Sequence, residues 1–181
     1  MPKLKPKICL LLLAAVVFFY TGCAFAQAVL PEEQPALPKQ VDDLIKQGTK
    51  FYEERNLDKA IQAFDKALPD ISDPALRADI LFVISSCYLQ KGAMQQLTRK
   101  DQGFYKKAME YANKCLAVNP RYWYALANLG TIYMNTGELT KADAYYEQAE
   151  RLAGPGTAGY KQLVAQRAAL KAALLKKEEG K

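Results

Sequence analysis

The chain has 181 residues, half of them apolar, and a formal net charge of +6 with no histidine. That length supports one domain with a real core, or a short array of small repeats. Without histidine the commonest general base and metal ligand is missing. No Cys-x-x-Cys pair, glycine-rich phosphate loop or nucleophile elbow compensates, so the residues point to no enzyme, cofactor or metal.

Lys3, Lys5 and Lys7 precede an apolar run from Ile8 to Tyr20, and small residues follow, the pattern of a signal peptide over residues 1–26. The 13-residue run makes about 20 Å of helix at roughly 1.5 Å per residue, short of a bilayer core. Cleavage is therefore favoured over a retained anchor. Two processing sites compete. Ala24-Phe25-Ala26 ahead of Gln27 fits the small-x-small rule. Tyr20-Thr21-Gly22-Cys23 resembles the lipobox of bacterial lipoproteins, with Tyr20 where that family has an aliphatic residue. The resemblance makes Cys23 a lipidation candidate, with acyl chains as the membrane anchor. The expected location is the bacterial envelope, periplasmic or lipid-anchored.

Removing residues 1–26 takes away three lysines and no acid, so the net charge falls from +6 to +3. Spread over alternating Lys, Glu and Asp, this gives no reason to expect nucleic acid or an anionic membrane as partner. Residues 27–40 carry Pro31, Pro35 and Pro38 with Glu32 and Glu33, and read as an extended linker.

Past Val41 the same skeleton recurs. Leu44, Gly48 and Phe51 share one helical face, followed after an Asn56-Leu57-Asp58 turn by Ala60, Phe64 and Ala67. Leu81, Ile84, Ser85, Tyr88 and Gly92 are followed later by Ala108, Ala112, Cys115 and Pro120. Leu126, Leu129, Gly130, Tyr133 and Gly137 are followed by Ala142, Tyr146 and Ala149.

This skeleton resembles the tetratricopeptide repeat, a helix-turn-helix of about 34 residues with small residues where its helices cross and an aromatic on each helix. The resemblance covers residues 41–156 and implies an all-α, right-handed solenoid of three helix pairs, 41–74, 75–120 and 121–156. Departures are Arg55 where the family has Gly, Ala112 where it has an aromatic, and no Pro at the end of the first and third units. The middle unit is also longer: Ala60 to Ala108 is 48 residues, against 34 from Ala108 to Ala142. Asp73-Pro74 reads as an N-cap and first helical residue, which starts its first helix early. The remaining excess lies near 93–103. Thr98 and Asp101 are spaced like a capping box, so the second helix is expected to begin there. Residues 157–181 form a capping helix and tail, with an apolar stripe of Tyr160, Leu163, Val164, Ala168, Leu170 and Leu174. Cys87 and Cys115 lie in apolar helical contexts, where free Cys behaves as a small hydrophobe; the sequence leaves their pairing open.

The resemblance implies a concave groove lined by the first helices, and hence a scaffold that binds a protein or peptide. It places Tyr52, Phe82, Ser86, Leu89, Tyr124, Asn128, Thr131 and Met134 there, along with Asp79 and Gln90 among others. Members that clamp a peptide's C-terminal carboxylate use Lys, Asn and Arg at several such positions. Ile45, Thr49, Phe82 and Val83 stand there in this chain, which disfavours that mode. The alternative is a structural, self-associating subunit acting through the convex face and the 93–103 insertion. Membrane contact is expected only through lipid or an uncleaved signal.

Overall fold

A computed structural model describes residues 37–96, 102–157 and 159–179. The signal segment, Cys23, most of the linker, Thr98 and Asp101 lie outside the described residues. The described chain is helical with no strand: α1 (Lys39–Glu53), α2 (Leu57–Ala67) with a 3-10 turn (Leu68–Asp70), α3 (Pro74–Gln96), α4 (Gly103–Val118), α5 (Trp123–Asn135), α6 (Leu139–Ala153) and α7 (Tyr160–Glu179). Contacts are densest within the pairs α1/α2, α3/α4 and α5/α6, and α7 packs on α6.

Local chemistry sets the boundaries. The Asp73 carboxylate accepts from the Ala75 and Leu76 amides at 3.0 and 3.4 Å, and Pro74 opens α3, its missing N–H being one the first turn leaves unbonded anyway. Asn56 caps α2 through the Lys59 amide. The turns after α1 and α5 use one motif: Arg55 donates to the Tyr52 carbonyl and Asn56 to Phe51, and Gly137 donates to Met134 and Glu138 to Tyr133. The motif needs a left-handed residue, which is Gly137 at φ 87° in one turn and Arg55 at φ 61° in the other.

Within each pair the helices meet where a glycine faces an aromatic ring. A Cβ on Gly48 would lie 2.7 Å from the Phe64 ring, and one on Gly130 would lie 2.8 Å from the Tyr146 ring. Both rings are buried, so the fit tolerates no extra methyl. In the middle pair Ser85 and Ala112 occupy the equivalent places, and the Ser85 hydroxyl donates to the Ala108 carbonyl at 2.8 Å. The ring-on-glycine contact reappears two turns along, at Gly92 and Tyr105, where the added Cβ would meet the ring at 2.7 Å.

The extra length of the middle unit is therefore largely helix. The α3 helix runs on through Gln96 and α4 begins at Gly103, five residues after Thr98, with Gln102 making no side-chain cap bond. The α1 helix starts at Lys39, two residues before the expected boundary.

The main core cluster draws Val41, Phe64, Ile84, Tyr88, Tyr105 and Leu129 from the first five helices. A second joins Leu126, Tyr146 and Ala149 to Leu163 and Leu170 of α7. Helix α7 begins at Tyr160 rather than Thr157, and Ala168 is exposed rather than part of its apolar stripe. The turn of α7 bearing Ala168 presents Arg167 to α6 instead, where it pairs with Asp143 at 2.9 Å, Glu150 at 2.8 Å and Glu147 at 3.1 Å. Cys87 and Cys115 are free, buried thiols. The Cys115 thiol donates to the Ala78 carbonyl at 3.3 Å, and burial pushes both thiols up to about 12.

Candidate functional site: the row of first helices

Helices α1, α3 and α5 stand side by side, tied by side-chain hydrogen bonds. Gln90 on α3 donates to the Tyr52 hydroxyl of α1 at 2.9 Å. Asn128 on α5 donates to Ser86 of α3 at 2.9 Å, with Ser85 further off at 3.5 Å. Ser85 and Ser86 divide the work of adjacent helical positions, one turned into the pair and bonded to α4, the other set on the row.

The remaining expected groove residues fall into two groups. Some belong to the packing: Leu89 and Val83 lie half-buried against the main core, and Met134 against the second. Thr131 is turned inward as well, bonding the Ala127 carbonyl and the Tyr146 hydroxyl. Its hydroxyl is thereby occupied by its own helix and by the phenol of α6, although the half-buried residue keeps its position on α5.

The others form an aromatic surface at the start of α5. Ring centroids are 5.5 Å apart for Phe82 and Tyr122, 5.6 Å for Phe82 and Tyr124, and 6.0 Å for Tyr122 and Tyr124, with tilts of 41° to 52°. Trp123 stacks on Tyr124 at 3.6 Å and lies against Gly159 in the turn before α7. Of this group Tyr124 is the most open, 37% exposed. The Tyr122 hydroxyl donates to Asp79 on α3 at 2.6 Å. Burial first, then this bond to a carboxylate, raises the Tyr122 phenol far above its ordinary value, so it stays a donor well into the alkaline range. The Tyr122 to Asp79 bond is invisible in the sequence, since 43 residues separate its ends.

At the far ends of the helices the extended α3/α4 pair overhangs the α1–α2 turn and leaves a cleft of about 570 Å³. Leu57, Met94 and Phe104 line it with Arg55, Asp58 and Lys91. Lys91 pairs with Asp58 and sits 4.5 Å above the Phe104 ring, and Met94 is 69% exposed. Among the described residues no group of three His, Cys, Asp or Glu could hold a metal, and no helix is long and apolar enough to cross a membrane.

Residues 124–154 match the profile of the tetratricopeptide repeat family. A curated relative, the photosystem I assembly protein Ycf3 of Rippkaea orientalis, is 29% identical over 136 residues, covering 75% of this chain and 71% of the relative. Among solved structures, the Sgt2 tetratricopeptide domain of Aspergillus fumigatus superposes with a TM-score of 0.62 at 20% identity, covering 78% of this chain and 83% of that one. The first such domain of Spaghetti (RPAP3), bound to the HSP90 peptide SRMEEVD, gives 0.59 at 18% identity over 76% and 94% of the two chains. PcrH in complex with the chaperone binding region of PopD gives 0.61 at 16% identity over 75% and 93%. The paired helices, the glycine-to-ring contacts and these superpositions give one conclusion: the described chain has the fold of a tetratricopeptide-repeat solenoid closed by a capping helix.

Proposed function

We propose that this protein is a non-enzymatic interaction scaffold of the bacterial envelope, holding a protein or peptide segment along α1, α3 and α5. The observation that carries the reading is the finished state of this row. Its polar side chains are tied across helices, Tyr52 to Gln90 and Ser86 to Asn128, while Tyr124 stands open beside three further rings. A surface already ordered loses little side-chain entropy on binding, and aromatic groups supply much of the energy of such contacts. Domains of the same fold in RPAP3 and PcrH hold a peptide and a region of PopD, which supports segment binding by this chain. The basic start and apolar run of residues 3–20 support export, and Cys23 or cleavage after Ala26 decides between a lipid-tethered and a free periplasmic form.

Cross-linking in the native cell, followed by titration calorimetry with the captured partner, tests the groove. Tyr124→Ala and Phe82→Ala are expected to weaken binding at least tenfold while helical content and melting stay near the parent's. Unchanged affinity in both variants sinks the groove reading. An intact mass of the mature protein separates a lipid-bearing Cys23 from a chain beginning at Gln27.

The α3/α4 overhang favours a second reading, a structural subunit that assembles with copies of itself or a larger machine. Met94 projects from the overhang beside the cleft. Loss of assembly in Met94→Asp, with groove binding intact, favours this alternative.

A further inference from the structure

We propose that the aromatic surface at the start of α5, with Asp79 beside it, seats an arginine or lysine side chain, so that the segment held in the groove is basic. The proposal rests on the groove reading above and names the chemistry of its occupant.

The first support is the shape of the surface. Phe82, Tyr122 and Tyr124 are in mutual contact at inclined angles, Trp123 extends them by stacking on Tyr124, and Tyr124 is open to solvent. A guanidinium or ammonium above such faces is attracted by the negative charge of the ring π-systems, and a planar guanidinium also stacks on them.

The second support is charge. From Trp123 to Asn135 helix α5 carries no charged residue. On α3 the row is formed by Asp79, Phe82, Val83, Ser86, Leu89 and Gln90, of which only Asp79 is charged. Asp79 is exposed, its carboxylate takes one hydrogen bond from Tyr122, and among the described residues no basic side chain pairs with it. A carboxylate has about four acceptor directions, so most remain for an incoming donor. Arg77, two residues earlier, is held by the carbonyls of Leu68 and Ile71. On α1 the basic side chain facing the row, Lys46, is paired with Asp42 at 2.5 Å. Along the row on α3 and α5 an acidic segment therefore meets a carboxylate and no cation, the exposed Arg121 standing in the turn ahead of α5, whereas a basic one meets that carboxylate flanked by aromatic rings that add to the attraction.

Panning a random peptide library against the full-length chain tests this. Trp123, the one tryptophan in the chain, reports occupancy by fluorescence. Selected peptides are expected to share an arginine or lysine at a fixed position. Binding of a selected peptide should fall at least tenfold when that residue is changed to Ala, and similarly in Asp79→Asn. It should also weaken as salt rises from about 0.1 M to 1 M, where the screening length contracts to about 3 Å. Asp79→Asn keeps an acceptor for the Tyr122 hydroxyl, and an unchanged melting curve verifies its fold. Selected peptides that lack a basic residue, or that bind Asp79→Asn as tightly as the parent, overturn the proposal and leave the groove reading standing. If the chain alone forms dimers that Asp79→Asn disperses, the occupant is a second copy and the foreign basic segment is ruled out. A library that yields no binder overturns the groove reading and this proposal together.

Discussion

The outer helix pairs and the middle pair reach the same close approach by different routes. In α1/α2 and α5/α6 a glycine on the first helix receives a ring 16 residues later, Gly48 with Phe64 and Gly130 with Tyr146. In α3/α4 that level holds Ser85 opposite Ala112, and the glycine and ring sit two turns nearer the connecting turn, at Gly92 and Tyr105, 13 residues apart. The lesson is that a repeat conserves a contact geometry. When its helices lengthen, the large side chain and the gap that takes it can move together along the pair, while small residues such as Cys87, Ala108 and Cys115 keep the original level tight.

The sharpest way to break this comparison is to remove the rings. Tyr146→Ala, at a fully buried site, is expected to cost about 4 kcal/mol in urea unfolding, and Tyr105→Ala nearly as much. If Tyr105→Ala costs under about 1 kcal/mol, the middle pair is not closed at its tip and the two routes are not equivalent. Gly130→Ala and Gly92→Ala should each cost about 1–2 kcal/mol, because the ring collision outweighs the roughly 1 kcal/mol that alanine gains as a helix former.

A smaller effect separates the first pair from the third. Arg55 adopts a left-handed backbone that costs an L-residue about 1–2 kcal/mol, where the matching turn has Gly137. Arg55→Gly should raise stability by about 1 kcal/mol and Gly137→Arg should lower it by a similar amount. Equal melting temperatures for the parent and Arg55→Gly would show that the Arg55 side chain recovers the strain elsewhere.

The smallest effect tests the middle pair alone. Burial raises both thiols from about 9 to about 12, so the folded state keeps them protonated. Their contribution to stability is complete below pH 9 and is lost as pH rises from 9 toward 12, because the unfolded chain releases those protons first. At pH 8 an alkylating reagent should label neither cysteine in the folded protein and both in urea. Rapid labelling of either without denaturant would mean that the middle pair opens locally.

Much of the helix pairing was legible because its cause is local. Small residues recur at one stride, Asp73-Pro74 marks a helix start by capping chemistry, and Gly137 marks a turn by backbone freedom. The middle unit was harder. Gly92 matches Arg55 and Gly137 in repeat register, residues that stand in the turns of the outer pairs, yet it lies inside α3 with Tyr105 packed on it. Ala168 illustrates a similar limit: its spacing fits an apolar stripe, but α6 presents Asp143, Glu147 and Glu150, and Arg167 turns toward them.

The candidate site divides in the same way. Phe82, Tyr122, Trp123 and Tyr124 stand out in the sequence as aromatics, and the repeat register places Phe82 and Tyr124 on one row. What the register could not assign was that the Thr131 hydroxyl meets Tyr146, that Leu89 lies half-buried against the core, or that Tyr122 meets Asp79. The sequence alone determined that helices form and pair, since periodicity, caps and turn residues act over a few positions. Only the tertiary structure decided which polar and aromatic groups meet across helices and which remain open to a partner, because those contacts join residues dozens of positions apart whose directions depend on how neighbouring helices cross.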